Sequence, residues 1–527
     1  MIRSYIDNKQ WMGSGRIAFL FILLISYFSF LPCSAQTEAR IEAMANVGSG
    51  DHNPLWLNAN KYGLSSLKNN NGYLRGDVAR RMTQDSTRRW AWGAELDVAV
   101  AAGFASTVVV HQAYGELRWL KGLLTVGSKE QPMELKNQEL SSGSQTLGIN
   151  ARPVPSIRLS LPEYWNIPGL GKWVALKGHI AYGIQTDNKW QEDFTNGRSR
   201  YSKNTRLHTK AGFLRIGRDD KPLTAELGLE MACQYGGTAH HVLKEEGGYW
   251  DEMKNTGGLK GAVKALFPSG GETMEAGSSY ENAEGNHLGS WMMRINFDQP
   301  KWGVSAYAEH LFEDHSSMFF LDYNGYGTGD EWDKKKDSKW FLYDLKDIMA
   351  GVELRLKDFR WISNVVCEYI YTMYQSGPVY HDHTQQMPDH ISGLDNYYNH
   401  HIFAGWQHWG QVMGNPLFRS PLYNDNGVID IEDNRFRAWH LAAAGSPMEG
   451  LRYRLMCTWQ RGLGTYHHPF VYPRRNTSMM AEASYSFADG SRLEGWQLKG
   501  AVALDHGELL GDNFGVQLTV AKRLRIK

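Results

Sequence analysis

Apolar and polar residues take turns along most of this chain with a period of two. From Trp90 to Val100, the residues Trp90, Trp92, Ala94, Leu96, Val98 and Val100 share one face, and Gly93, Glu95, Asp97 and Ala99 share the other. Ala225 to Tyr235 divides in the same way, with Leu227, Leu229, Met231, Cys233 and Tyr235 opposite Glu226, Glu230 and Gln234. In Leu451 to Trp459, Leu451, Tyr453, Leu455, Cys457 and Trp459 alternate with Arg452, Arg454 and Thr458. An arginine on a lipid-facing position near the bilayer midplane costs about 2–4 kcal/mol. A slip of one residue would turn both Arg452 and Arg454 outward, so the pattern fixes its own register. Several runs extend to about ten residues, enough to cross hydrocarbon at a tilt, whereas ordinary strands average about five or six. The pattern predicts an all-β chain forming a transmembrane antiparallel β-barrel.

The joints between strands support the same architecture. After Thr205, short joints (218–222, 299–301, 357–360, 445–450, 488–495) alternate with longer ones (236–289, 313–346, 372–435, 461–478, 506–512). Short periplasmic turns alternating with long extracellular loops are what a spanning barrel requires. Earlier runs near 73–82, 90–100, 108–119, 123–128, 156–161 and 173–184 bring the total one short of an even number. About 18 strands are therefore expected, one of them hidden between Gln131 and Asn150 or before Tyr73. Residues 36–72 carry little strand pattern and are read as a periplasmic N-terminal segment, with Asp51 to Lys68 as a short helix-and-turn element, leaving 73–527 as the barrel. The apolar run Leu259 to Phe267 breaks the alternation and is placed inside the 236–289 connection. The chain lacks the aromatic ending of many bacterial barrels, closing instead on Arg523-Leu524-Arg525-Ile526-Lys527.

Composition narrows the class. Lys+Arg and Asp+Glu both number 56, so no charge imbalance points to nucleic acid. Aromatic residues make up 12% of the chain, which suits rings placed at two membrane interfaces. The stretch Ile17 to Leu31, preceded by Lys9 and Arg16 and followed by Cys33-Ser34-Ala35, has the order of a secretory signal, giving a signal peptide over 1–35. Beyond it no stretch is long and apolar enough for a spanning helix, so spanning requires a closed barrel. Cys233, Cys367 and Cys457 are too widely spaced for a disulfide framework or a metal motif.

Four strings carry a family resemblance: NPLWLNANKYG (Asn53 to Gly63), the Lys129 to Pro155 stretch ending NARPVP, PEYWNIPG (Pro162 to Gly169) and HWGQVMGNPL (His408 to Leu417). In their order the chain resembles capsule assembly Wzi family proteins of the Bacteroides type. The resemblance implies an 18-stranded barrel in the cell outer membrane, a small helical element at its periplasmic end, and a lectin-like role in holding capsular or other surface polysaccharide. It implies an anchor rather than an enzyme, with no cofactor. The partners so implied are the polysaccharide, outer-membrane lipid and, during insertion, the barrel-assembly machinery.

The 372–435 loop is where glycan contact is expected. It carries Tyr397, Tyr398, Trp406, Trp409, Phe418 and Tyr423 beside Asn415 and Arg419. Sugars pack their C–H faces on aromatic planes and need fixed hydrogen-bond partners for their hydroxyls. The competing reading is that these rings pack the loop onto the barrel mouth. Histidines at 381, 383 and 390, and the pairs His240-His241, His400-His401 and His467-His468, meet no zinc or calcium spacing, so no metal is expected. Asp425-Asn426-Gly427 reads as a turn, and Asp330 to Asp337 as a solvated loop tip, a reading favoured over the alternative that Lys334 to Lys336 attract an acidic polysaccharide. His310 to His315 misses a metalloprotease spacing, and no nucleophile elbow or phosphate loop is present, so no catalytic residue is assigned. Gln112, Tyr114, Glu116, Arg118, Glu353 and Arg355 are expected to face the lumen, where opposite charges either plug it or line a channel. A porin or substrate-selective channel is thus the alternative function.

Overall fold

Residues of opposite polarity face opposite sides of one closed wall. The computed structural model describes residues 37–526 apart from 83–88, 245–246, 269–283, 314–321, 324–326, 333, 335, 337, 340–345 and 381–390. The expected signal peptide lies outside the described residues. The wall begins with β1 (Thr37–Ser49), β2 (Asn71–Arg80), β3 (Trp90–Ala102), β4 (Val108–Trp119), β5 (Gly122–Ser128) and β6 (Ser156–Asn166). It continues with β7 (Val174–Ile184), β8 (Arg206–Ile216), β9 (Leu223–Tyr235), β10 (Asn286–Asp298), β11 (Trp302–Glu313) and β12 (Ile348–Leu356). It ends with β13 (Asn364–Tyr371), β14 (Phe436–Met448), β15 (Leu451–Gly464), β16 (Pro469–Ser486), β17 (Trp496–Gly507) and β18 (Asn513–Ile526). Each strand pairs antiparallel with its neighbours in sequence, in one sheet of 18 strands. β18 closes on β1 in a register running from Thr37 opposite Ile526 to Ser49 opposite Phe514, so the chain end without an aromatic still seals the barrel.

The hidden strand is β1, so Thr37–Ser49, about the first third of the segment expected to be periplasmic, belongs to the wall. Its outward row is Ile41, Ala43, Ala45 and Val47, and its inward row is Arg40, Glu42, Met44 and Asn46. Two alanines on one face and a methionine on the other blur the alternation that is plain elsewhere. A second difference concerns 461–478, read as a long loop. There β15 and β16 run on to Gly464 and Pro469, forming a tall hairpin.

The outside of the wall is apolar. Leu498 and Val502 of β17 stand beside Val516 and Leu518 of β18, each about half exposed in the isolated chain, and Trp92, Leu96 and Val100 continue the belt on β3. Such a continuous exposed surface is unfavourable in water and favourable against acyl chains. Rings flank the belt at both ends. Trp90 and Trp119 pack 5.9 Å apart and Phe297 and Trp302 5.8 Å apart at the short-turn end. Tyr369 and Trp439 pack 4.8 Å apart nearer the other end.

The connections 50–70, 129–155, 185–205, 236–285, 314–347 and 372–435 all leave from one end of the barrel, which we call the long-loop end. The helical element expected at the periplasmic end lies here instead. Leu55–Asn58 (α1) follows β1, whose strand carries the chain away from the end where Ile526 sits. α1 is folded into the lumen against β16 and β17, with Leu55, Trp56 and Leu57 buried. Asn188–Thr195 (α2) lies in the 185–205 connection, and Gly258–Leu266 (α3) lies in the 236–285 connection, where the apolar run was placed.

Candidate functional site

The lumen is filled by a plug made from three connections. Residues of 129–155 run down the inside, gripped by carboxylates of the wall. Glu309 on β11 accepts the amide of Gln145 at 2.8 Å and pairs with Lys136. Glu368 on β13 accepts the Ser142 amide at 2.8 Å and the hydroxyls of Ser141 and Tyr307, each at 2.6 Å. Glu353 on β12 accepts from Asn137 Nδ2 at 2.9 Å and pairs with Arg294. Buried charges need such partners, because an uncompensated one is costly in a low-dielectric interior. His440 on β14 contacts the Leu140 carbonyl at 2.8 Å.

Three of the four strings behind the family resemblance meet inside this plug. Asn60 N donates to Asn150 Oδ1 at 3.1 Å, and Tyr62 N to the Ile149 carbonyl at 2.7 Å. Asn150 Nδ2 donates to the Val412 carbonyl at 3.1 Å, and His408 Nδ1 lies 2.9 Å from the Arg152 carbonyl. Gln411 Nε2 donates to Ser65 Oγ at 3.0 Å. The fourth string, Pro162 to Gly169, lies at the end of β6 and in the turn that follows, where Tyr164 packs in a separate cluster with Leu135, Phe213 and Met292.

Most of the aromatic residues expected to meet glycan are the core of this plug. Tyr397, Tyr398, Trp406 and Asn415 are fully buried and Tyr423 nearly so, so the packing reading holds for them and they offer no face to a ligand. Trp406 Nε1 donates to the Thr146 carbonyl at 2.9 Å, Asn415 Nδ2 to the Gly143 carbonyl at 3.0 Å, and the Tyr398 ring stacks on Phe418 at 4.0 Å. The loop turns inward because these polar atoms find their partners on the plug and the wall, not in water. Arg419 is half-buried and committed to Glu432 at 2.7 Å and the Tyr423 carbonyl at 2.6 Å.

Trp409 differs. It is partly exposed at the long-loop end, on the rim of a cavity of about 290 Å³ lined by Ser65, Lys68, Phe104, Arg152, Trp409 and Gln411 among others. Its backbone is left-handed, with φ 56°, a conformation that costs a bulky residue about 1–3 kcal/mol. The buried Asp187 holds it by accepting the Trp409 amide at 3.1 Å. Arg152 lies over the indole, 4.4 Å from the ring centre, and donates to Ser106 Oγ at 2.9 Å. Burial lowers the Arg152 guanidinium to about 10, opposed by Asp187, so it stays charged at neutral pH. Among the described residues, none that lines this cavity is a carboxylate. A second cavity of about 110 Å³ lies between plug and wall, lined by Lys129, Leu147, Arg158, Thr209 and Met413 among others.

The expected lumen residues face inward. Gln112 Nε2 and the Tyr114 hydroxyl donate to Glu95 at 2.9 and 2.8 Å, Lys129 pairs with Glu116, Arg355 donates to Ser305 Oγ at 2.9 Å, and Arg118 stands half-buried in the same row. A bulge opposite Asp97 and Val98 lets Gln112 and His111 both point inside. Sequence reasoning missed Glu309 and Glu368, although each is a carboxylate in the inward row of its strand.

The remaining features are structural. Asp77, Glu95 and Asp97 come together in the lumen, and Arg75 and Arg81 already supply positive charge, Arg75 Nε donating to Asp97 Oδ1 at 2.8 Å and Arg81 to Glu95 at 2.9 Å. His400 and His401 stack 4.4 Å apart, and burial together with Arg200 pulls His401 down to about 4. His381, His383 and His390 lie outside the described residues. Gly427 has φ 71° and Asn426 Oδ1 accepts the Val428 amide at 3.0 Å, which makes the 425–427 stretch a turn. Lys334 pairs with Glu331 at 2.8 Å in the exposed loop, and Lys335 lies outside the described residues.

A closed antiparallel barrel with an apolar outer belt, flanking rings and long loops at one end is an outer-membrane barrel. Among solved structures, this one is similar to Wzi of Escherichia coli, described as an outer membrane protein involved in group 1 capsule assembly and a carbohydrate-binding β-barrel. The two share 14% identity over 91% of this chain and 83% of that one, with a TM-score of 0.54. Acinetobacter baumannii OccAB4 is similar at 10% identity over 94% and 100% of the chains, with a TM-score of 0.43. Pseudomonas aeruginosa OprD is similar at 8% identity over 94% and 96%, also with a TM-score of 0.43. No family model and no curated protein matches the chain.

Proposed function

We propose that this protein binds capsular or other surface polysaccharide and holds it at the cell surface, without catalysis. The observation that carries the reading is the rim cavity, where the partly exposed Trp409 is fixed in a strained conformation beside Arg152, Lys68 and Gln411. An aromatic plane next to fixed donors suits a sugar, and two cations with no carboxylate in the lining favour an acidic one. The reading places the long-loop end outside the cell. Similarity to a barrel described as carbohydrate-binding supports it, as does the meeting of three of the four resemblance strings in the plug that builds the cavity. The test is binding of purified surface glycan to the detergent-solubilised protein, with Trp409→Ala and Lys68→Ala alongside the wild type. Loss of affinity in both variants is expected, and unchanged affinity in both would reject this site.

The space between plug and wall favours a second reading, a narrow channel for small polar solutes, because Lys129, Arg158 and Thr209 line it. Planar-bilayer recording separates the two. A steady open conductance supports the channel, and a silent trace supports the anchor.

A further inference from the structure

α3 lies on the outside of the barrel. The outward rows are marked by Ile180 and Ile184 on β7 and by Leu223 and Leu227 on β9, all exposed in the isolated chain. Tyr182, Cys233 and Tyr235 stand in those same rows, nearer the long-loop end, and pack against Ala262 and Ala265 of the helix. The Tyr182 hydroxyl donates to the Ala262 carbonyl at 3.1 Å. A Cβ on Gly261 would meet the Thr256 carbonyl at 2.4 Å and the Tyr235 ring at 3.1 Å, so small residues let the helix lie close to the wall.

The opposite side of α3 is apolar and bare. Leu259, Val263 and Phe267 recur every four residues, forming one stripe, and are 83%, 50% and 66% exposed. The helix rests on strands that themselves carry the lipid-facing belt, with Ile180, Leu223 and Leu227 exposed in the same outward rows. A second observation comes from Lys210 on β8, which stands in the outward row with Gly212 and Ile216, below the long-loop end of its strand. A cation on that face is unfavourable in lipid. Its ammonium donates to the Leu266 carbonyl and reaches that of Ala265 at 3.5 Å, so the free carbonyls at the C-terminus of α3 receive the charge. The helix thus shields a charged position on the membrane face of the wall.

We propose that α3 is an interfacial helix seated in the outer leaflet, with Leu259, Val263 and Phe267 among lipid acyl chains. Amphipathic helices with one apolar stripe bind at this depth, and here the wall of the barrel sets the depth. The choice of leaflet rests on the long-loop end lying outside the cell, as in the proposed function, and the seating in lipid is independent of what the rim cavity binds.

The full chain, with Cys33, Cys233, Cys367 and Cys457 replaced by alanine, is spin-labelled at Val263→Cys and reconstituted into phosphatidylethanolamine and phosphatidylglycerol vesicles. Leu518→Cys on the outer belt is the lipid control, and Val471→Cys on the tall hairpin is the water control. The label at 263 is expected to favour molecular oxygen over a water-soluble nickel chelate, as at 518 and several-fold more than at 471. Ready access to the nickel chelate, as at 471, would overturn the proposal. Protection from both reagents would also overturn it, because protein rather than lipid would then cover the stripe.

Discussion

Glu368 on the wall accepts the amide hydrogen of Ser142 in the plug at 2.8 Å, joining two residues far apart in sequence inside the lumen. The same carboxylate takes the hydroxyls of Ser141 and Tyr307, so one side chain holds the inner loop to the strand behind it. Whether the barrel stays shut depends on contacts of this kind.

Replacing Glu368 with alanine leaves those donors buried without an acceptor, at about 1–3 kcal/mol for each unpaired group. The melting temperature is expected to fall, and bilayer recordings are expected to gain transient openings that the parent protein lacks. An unchanged melting temperature would show that the plug is not anchored here.

Trp406 and Trp409 should separate stability from binding. Trp406 is fully buried, so Trp406→Ala should cost about 3–5 kcal/mol and lower the temperature at which heat-modifiable gel migration is lost. Trp409 is only partly buried, so Trp409→Ala should cost less while reducing glycan affinity. Equal losses of stability in the two variants would make Trp409 a packing residue only.

Asp433 gives a pH signature. Burial raises its carboxyl to about 7, against opposing hydrogen bonds from the backbone of Gly464 and Leu463. An unfolded aspartate titrates near about 3.9, so between these values the folded state holds a proton that the unfolded state has released. Its contribution to stability therefore improves as pH falls from 8 towards 5. In Asp433→Asn the contribution is absent, so the difference in melting temperature between variant and parent should change over that range. A difference that is flat from pH 8 to pH 5 would refute the assignment.

The outer belt sets the register. Leu518→Arg places a charge on an outward position of β18, and near the midplane this costs about 2–4 kcal/mol. Reduced insertion is expected in the outer-membrane fraction, judged by heat-modifiable migration. Leu518→Ala, which shortens the same side chain without adding a charge, serves as the control for chain disruption.

Much of the wall was legible in the sequence because alternation is a local property. The rows of β3, β9 and β15 can be read from Trp90, Leu227 and Arg454 without reference to any partner strand. The strand that escaped, β1, is the one whose outward row relies on Ala43 and Ala45, residues too small to signal a face. The candidate site was less legible. Tyr397, Tyr398, Trp406 and Trp409 look alike as residue types, and only their neighbours make three of them core and one of them rim.

By itself, the sequence determined the barrel, much of its register and the end from which most long connections leave, because a charge in a lipid-facing row is costly and a one-residue slip would expose several, Arg452 and Arg454 among them. The tertiary structure alone decided that 129–155 and 395–435 turn into the lumen, that β1 closes on β18, and that α3 rests on the outer wall. Those outcomes depend on donors and acceptors brought together from distant parts of the chain, such as Glu368 with Ser142 and Lys210 with the carbonyl of Leu266, and no local pattern encodes them.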